Sequence, residues 1–177
     1  MNDIKTYFLT TSNTESQIAD LAELINERYD ATEGPIWNTP GTRTNVEQLK
    51  ELIQKRELII ATKDKKWVGC IHVKKDDADS ALFGMLVANP QYKGQRIGTK
   101  LICRAEQWAI AEGLQYMKLE LLIPRDIVLE SKIFLTEWYQ RIGYKQISSG
   151  LFEEVYPHKK DFMATPCDFN IWRKKLI

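Results

Sequence analysis

Gly94 and Gly98 stand four residues apart in NPQYKGQRIGTKL, residues 89–101, between an extended apolar run and the start of an apolar-periodic helix. The first N–H groups of a helix lack a partner one turn back, and the aligned peptide dipoles place partial positive charge there, so such a junction suits an anion. Glycine permits positive φ or a close approach, and Arg96, Lys100 and Arg104, spaced by four, put cations along one helix face. A polyphosphate fits this chemistry; the plainer reading is a turn glycine beside a solvated cationic face. A Walker-type loop needs a second glycine five positions before Gly98, and a dinucleotide fingerprint needs a third glycine; the sequence has neither.

The elements that must hold this loop follow from hydrophobic spacing. Residues 4–10 alternate as a strand, and residues 14–29 place Ile18, Leu21, Ala22 and Ile25 on one helical face behind a Ser/Thr/Asn-rich start. A loop with Gly34, Pro35, Pro40 and Gly41 spans residues 30–45 and is long enough to act as a lid; Val46, Leu49 and Ile53 then mark a short helix. Turn signals at KDKK and KDDAD divide an antiparallel meander into strands at 57–62, 66–74 and 79–88. Ile97, Leu101, Ala105 and Trp108 carry a helix to about Glu112, stopped at Gly113. A strand at 115–124, a helix within 125–143 carrying Ile127, Phe134, Leu135, Trp138 and Ile142, a strand at 144–149, an irregular loop at 150–166 and a final strand at 167–176 complete the order. The fold class is α/β (α+β), a single domain over residues 1–177 with a central mixed, mainly antiparallel sheet flanked by helices.

Bulk properties restrict the partners. Twenty-five basic and 24 acidic residues leave a formal charge of +1, so no global field recruits nucleic acid or a membrane surface. There is no basic patch interleaved with aromatics for a nucleic-acid strand, no long apolar run, and no secretory leader pattern in residues 1–14. The expectation is a cytoplasmic protein. Cys70, Cys103 and Cys167 are odd in number, far from one another and in no ligand spacing with the only histidines, His72 and His158, and read as buried reduced thiols with no metal site.

The stretch resembles motif A of the GNAT superfamily of acyl-CoA-dependent N-acyltransferases. There a strand ending in an LxVxP-type sequence leads through [Q/R]-x-x-G-x-[G/A] into a helix; here the strand end is Leu86, Val87, Ala88, Asn89, Pro90 and the loop is Lys93, Gly94, Gln95, Arg96, Ile97, Gly98. Lys93 stands where Gln or Arg is usual, and Arg96 where the middle glycine belongs. WYQRIGY, residues 138–144, is similar to the end of the family's motif B, with Lys132 in place of an Asn seven residues before Tyr139. The likeness covers residues 57–144 well, the final strand weakly, and residues 1–56 only by element order.

The resemblance implies that the amides from Gly94 to Thr99 cradle the pyrophosphate of acetyl-CoA, that the pantetheine arm runs along Leu86, Val87 and Ala88, and that a backbone N–H near Ala88 polarises the thioester carbonyl. It also implies that Tyr139 is the acid that protonates the departing thiolate. By position alone, Tyr139 between Leu135 and Ile142 reads as a core aromatic. The acceptor implied is a primary amine, of a small metabolite or of a protein. An amine of pKa roughly 10 is mostly protonated at pH 7 and needs a base. Glu120, Glu33 and His72 are each placed where a structural role is equally natural, and the sequence names no base. Glu153, Glu154 and Asp161 in the 150–166 loop would attract a cationic acceptor or form a plain charged surface. Trp37 and Phe152, read as exposed aromatics, suit an acceptor cleft or a homodimer contact. The alternative function is a non-catalytic acyl-CoA-binding or regulatory module with the same fold.

Overall fold

The computed structural model describes residues 3–10 and 14–177. Strand β1 (Lys5–Phe8) leads to helix α1 (Glu15–Glu33); residues 11–13 of the Ser/Thr/Asn-rich helix start lie outside the described residues. Thr14 caps α1 through a reciprocal box in which its Oγ1 accepts from the Gln17 amide at 3.3 Å and its own amide donates to Gln17 Oε1 at 3.2 Å. Helix α2 (Val46–Gln54), the meander β2 (Leu58–Lys63), β3 (Lys66–Lys75) and β4 (Ser80–Ala88), and helix α3 (Ile97–Ala111) follow. Strand β5 (Tyr116–Pro124), helix α4 (Glu130–Arg141), strand β6 (Lys145–Leu151), the one-turn helix α5 (Phe152–Val155) and strand β7 (Cys167–Lys175) complete the chain.

These strands form one seven-stranded sheet in the order β1-β2-β3-β4-β5-β7-β6, with β4–β5 as its parallel pair and antiparallel ladders elsewhere. Helix α3 connects the parallel neighbours, as such a connection requires. One sheet face packs Ile71, Val73, Phe83, Met117 and Leu119 against Leu101, Ala105 and Tyr139 of α3 and α4. The other packs Leu58, Ile60 and Cys70 against Ile18, Leu21 and Ile25 of α1 and Leu49 and Ile53 of α2. A third cluster, around Ile36, Phe152, Cys167 and Phe169, fills that second face under β5 and β7.

Four expectations are corrected. Helix α1 does not stop near residue 29 but runs to Glu33 and passes into a 3-10 turn at Gly34–Ile36. Its last turn is anchored from α4, because Ser131 Oγ donates to the Thr32 carbonyl at 2.7 Å and supplies a partner that the helix end lacks. Helix α4 begins only at Glu130: Arg125 holds the chain against β7 by its amide on the Pro166 carbonyl at 3.0 Å and an ion pair to Asp168 at 2.6 Å, and Ile127 and Val128 are exposed rather than in helical register. The 150–166 segment is largely ordered, with α5 and a 3-10 turn at Pro157–Phe162, because Phe152, expected on the surface, is buried against Phe169 and Tyr156. Cys70 and Cys167 are buried, but Cys103 is exposed on α3.

Candidate active site

Strands β4 and β5 pair from Ser80↔Tyr116 only as far as Phe83↔Leu119, although β4 continues to Ala88 and β5 to Pro124. The two strands part where Met85 adopts φ 48°, and the β3–β4 register slips there between Cys70 and His72. The positive φ marks a bulge, which bends β4 and leaves its outer edge unpaired. The Asn89 amide donates to the Val68 carbonyl at 2.9 Å, so by strand alternation the Ala88 N–H points to the opposite side, into the gap facing β5.

At the end of β4 the chain turns through Asn89, whose side chain accepts from the Gln91 amide at 3.0 Å, and reaches Gly94 at φ 84°. Arg96, the residue before α3, lies in the left-handed region at φ 57° and ψ 32°. That explains why a glycine is usual at this position and shows that arginine takes up the same turn, at a cost of about 1 kcal/mol. The Gln95 amide bonds to the Tyr92 carbonyl at 3.3 Å and the Lys100 amide to the Arg96 carbonyl at 3.0 Å. Between them, and at Gly94, the amides of Arg96, Ile97, Gly98 and Thr99 have no hydrogen-bond partner among the described residues. A run of free donors at a helix start is an anion cradle.

The cations do not line up as their spacing suggests. Lys100 pairs with Asp3 at 2.6 Å, and the Arg104 guanidinium lies 6.0 Å from the Phe8 ring, both towards β1; Arg96 and Lys93 are exposed beside the loop. Gly98 has a packing role as well: a Cβ there would meet the Trp138 ring at 3.0 Å, so the missing side chain lets α4 close on the first turn of α3.

Tyr139 is 5% exposed and stacks with Trp138 at 5.4 Å, with Phe83 and Tyr144 each 6.0 Å away. Burial pushes its phenol pKa up, and the Tyr29 and Glu33 side chains of α1 push it further. Those groups belong to α1 on the opposite side of the sheet, and Tyr139 lies beside Phe83, the residue at which β4 and β5 part. The Tyr139 hydroxyl makes no hydrogen bond among the described residues.

Beyond the gap stand residues to which the sequence assigned no role or none that was firm. Lys132 of α4, buried, forms an ion pair with Glu33, whose other oxygen accepts from Trp37 Nε1 at 3.3 Å. Residues 36–38 are stitched to 162–164: Asn38 N–H donates to the Phe162 carbonyl at 2.8 Å, Ala164 N–H to the Ile36 carbonyl at 2.8 Å, and Trp37 bridges Met163. The two segments expected to flank an acceptor therefore touch. Nothing local in the sequence signals contacts between residues so far apart; lysine and glutamate in helical segments read as solvated. Glu120 lies opposite Leu119 and Leu121 as its alternation requires, and partial burial, with Asp76 nearby, raises its pKa. A surface cleft of about 380 Å³ beside Gln17, Asp20, Lys65 and Trp67 lies apart from all of these groups. Among the described residues no cluster of metal-ligating side chains occurs, and no helix is long and apolar enough to cross a membrane.

The chain resembles solved acetyltransferase structures along its whole length. An acetyltransferase from Streptococcus agalactiae superposes with a TM-score of 0.70 at 23% identity, covering 99% of each chain. The PaiA N-acetyltransferase from Thermoplasma acidophilum, solved in complex with coenzyme A, gives 0.69 at 19% identity, with 98% of this chain and 99% of that one covered. A ribosomal-protein-alanine N-acetyltransferase from Brucella melitensis gives 0.67 at 13% identity, with coverage of 97% and 99%. No curated protein matches the sequence. The family model of the acetyltransferase (GNAT) domain matches residues 54–146, from the end of α2 through the cradle, the parted strands and Tyr139; the chain belongs to the GNAT acetyltransferase family.

Proposed function

We propose that the 177-residue chain is a single cytoplasmic N-acetyltransferase domain that moves the acetyl group of acetyl-CoA to a primary amine of a small molecule or a protein. The observation that carries this reading is the run of amides at Gly94 and from Arg96 to Thr99 that have no partner among the described residues, at the end of a strand whose outer edge is free among them. Five donors at a helix start suit a pyrophosphate, with Lys93 and Arg96 beside them, and Gln95 held by Lys63 at 2.7 Å shapes the loop. The pantetheine arm, itself an amide chain, fits the unpaired edge at Leu86, Val87 and Ala88 as an added strand would.

In this reading the amine attacks the thioester carbonyl, a backbone N–H of the free β4 edge near Ala88 stabilises the developing oxyanion, the C–N bond forms and the C–S bond breaks. Tyr139 gives its proton to the departing thiolate, and burial raises the pKa of the phenol, which keeps it protonated until then. The proton lost by the amine nitrogen restores the phenol.

Calorimetry with acetyl-CoA, ATP and NAD, together with thiol release in the presence of amines, tests the proposal. Micromolar binding of acetyl-CoA alone and amine-dependent thiol release are expected. No acetyl-CoA binding would remove the enzyme reading; binding without thiol release would leave a non-catalytic acyl-CoA module.

A further inference from the structure

Leu58, His72 and Gly84 form one cross-strand row, since Leu58 pairs with His72 and His72 with Gly84. Paired residues in antiparallel strands share a face, and Leu58 puts this row on the face covered by α1 and α2. The row ends at the parting of β4 and β5: Gly84 is the residue after the last paired one, Phe83, and directly before the bulge at Met85. A Cβ added at Gly84 would meet nothing within 4 Å among the described residues, so the face is open directly above it, between the cluster under α1 and α2 and the cluster under residues 152–163.

His72 borders this opening. Its Nε2 lies 3.0 Å from Glu57 Oε2, with side chains 22% and 26% exposed, and Nδ1 has no partner among the described residues. The carboxylate fixes the Nε2–H tautomer and leaves Nδ1 as a free acceptor, the arrangement of an oriented general base. We propose that His72, oriented by Glu57, takes the proton from the acceptor amine, which sits over Gly84 on this face of the sheet. Glu120 on the next strand borders the same opening and offers a cationic amine its counter-charge.

The inference rests on the acetyltransferase reading and deepens it. The ammonium gives one proton to Nδ1; the neutral amine then attacks, and His72 returns that proton to water, so one proton leaves the site per acetyl group moved. Burial holds the imidazole below its ordinary pKa against the opposing pull of Glu57, while Lys74 and Arg43 also disfavour the charged ring. The ring is therefore neutral at pH 7 and ready to accept. Glu57 is a positioning residue: it acts through His72.

The test measures kcat/KM against pH for wild type, His72→Gln and Glu57→Gln, with tyramine, spermidine and a tetrapeptide as acceptors, beside acetyl-CoA affinity by calorimetry. His72 and His158 are the only histidines, so the two imidazole Cε1–H resonances, assigned with His158→Gln, report the His72 pKa directly. The wild-type acid limb is expected to coincide with that pKa. His72→Gln is expected to abolish the limb and lower turnover about a hundredfold with acetyl-CoA affinity kept. Glu57→Gln removes a group that raises the His72 pKa, so the limb and the resonance should move together to lower pH. An active wild type whose acid limb survives His72→Gln overturns the inference and leaves the acetyltransferase reading intact. A wild type that binds acetyl-CoA but acetylates none of the three amines overturns both.

Discussion

The ammonium of Lys132 and the carboxylate of Glu33 are paired with only 4% and 15% of their side chains exposed, and they tie the start of α4 to the end of α1 across the parted strands. Removing either partner leaves the other as an uncompensated charge in a desolvated place. Lys132→Met or Glu33→Gln is expected to cost about 3–5 kcal/mol, read by urea denaturation. Replacing both, as Lys132→Met with Glu33→Leu, should recover most of that loss. A single-variant cost within about 0.5 kcal/mol would show that the pair is not a stability element.

Tyr139 allows its chemistry to be separated from its packing. Because its hydroxyl has no partner among the described residues, Tyr139→Phe should change stability by less than about 0.5 kcal/mol. Turnover should nonetheless fall about tenfold or more, with acetyl-CoA affinity nearly unchanged. Unchanged turnover at saturating acetyl-CoA would remove Tyr139 from the mechanism.

Gly98 and Trp138 are predicted to be energetically coupled. An alanine at 98 gains up to about 1 kcal/mol of helix propensity but forces its Cβ against the Trp138 ring at 3.0 Å. In a Trp138→Leu background the clash is gone and the gain should appear, so a double-mutant cycle should give a coupling of about 1 kcal/mol or more. Additive effects would contradict the packing. The same cycle guards a binding experiment, since Gly98→Asp would disturb Trp138 as well as the cradle.

His72 should also leave a mark on stability. Its folded pKa lies below the ordinary 6.5, so the unfolded chain binds the proton more readily. The stability is therefore complete above about pH 6.5 and is lost as pH falls through that value toward the depressed folded one. Urea denaturation at pH 8 and pH 5.5 should show a larger loss for wild type than for His72→Gln. Equal losses would mean that the ring is not held neutral by the fold.

Much of the architecture was written in periodicity. The meander, the glycine loop and the stripe Ile97, Leu101, Ala105 each lie where spacing puts them, because strands and helices that bury one face must repeat apolar residues at fixed intervals. The family resemblance was legible for the same reason: the turn into α3 is local. What escaped was set by contacts distant in sequence. Helix α1 gains its last turn from Ser131 and Lys132, roughly a hundred residues on, and residues 36–38 find their place against 162–164. His72 could not be told from a structural histidine without Glu57 beside it and the vacancy at Gly84 across the strand.

Arg96 carries one more consequence. The turn into α3 requires a left-handed backbone, and a long cationic side chain adopts it here where the smallest residue is customary. What the junction demands of this chain is then an angle rather than a letter. A pattern that insists on glycine at this position would pass over this chain, while one written in dihedral angles would find it.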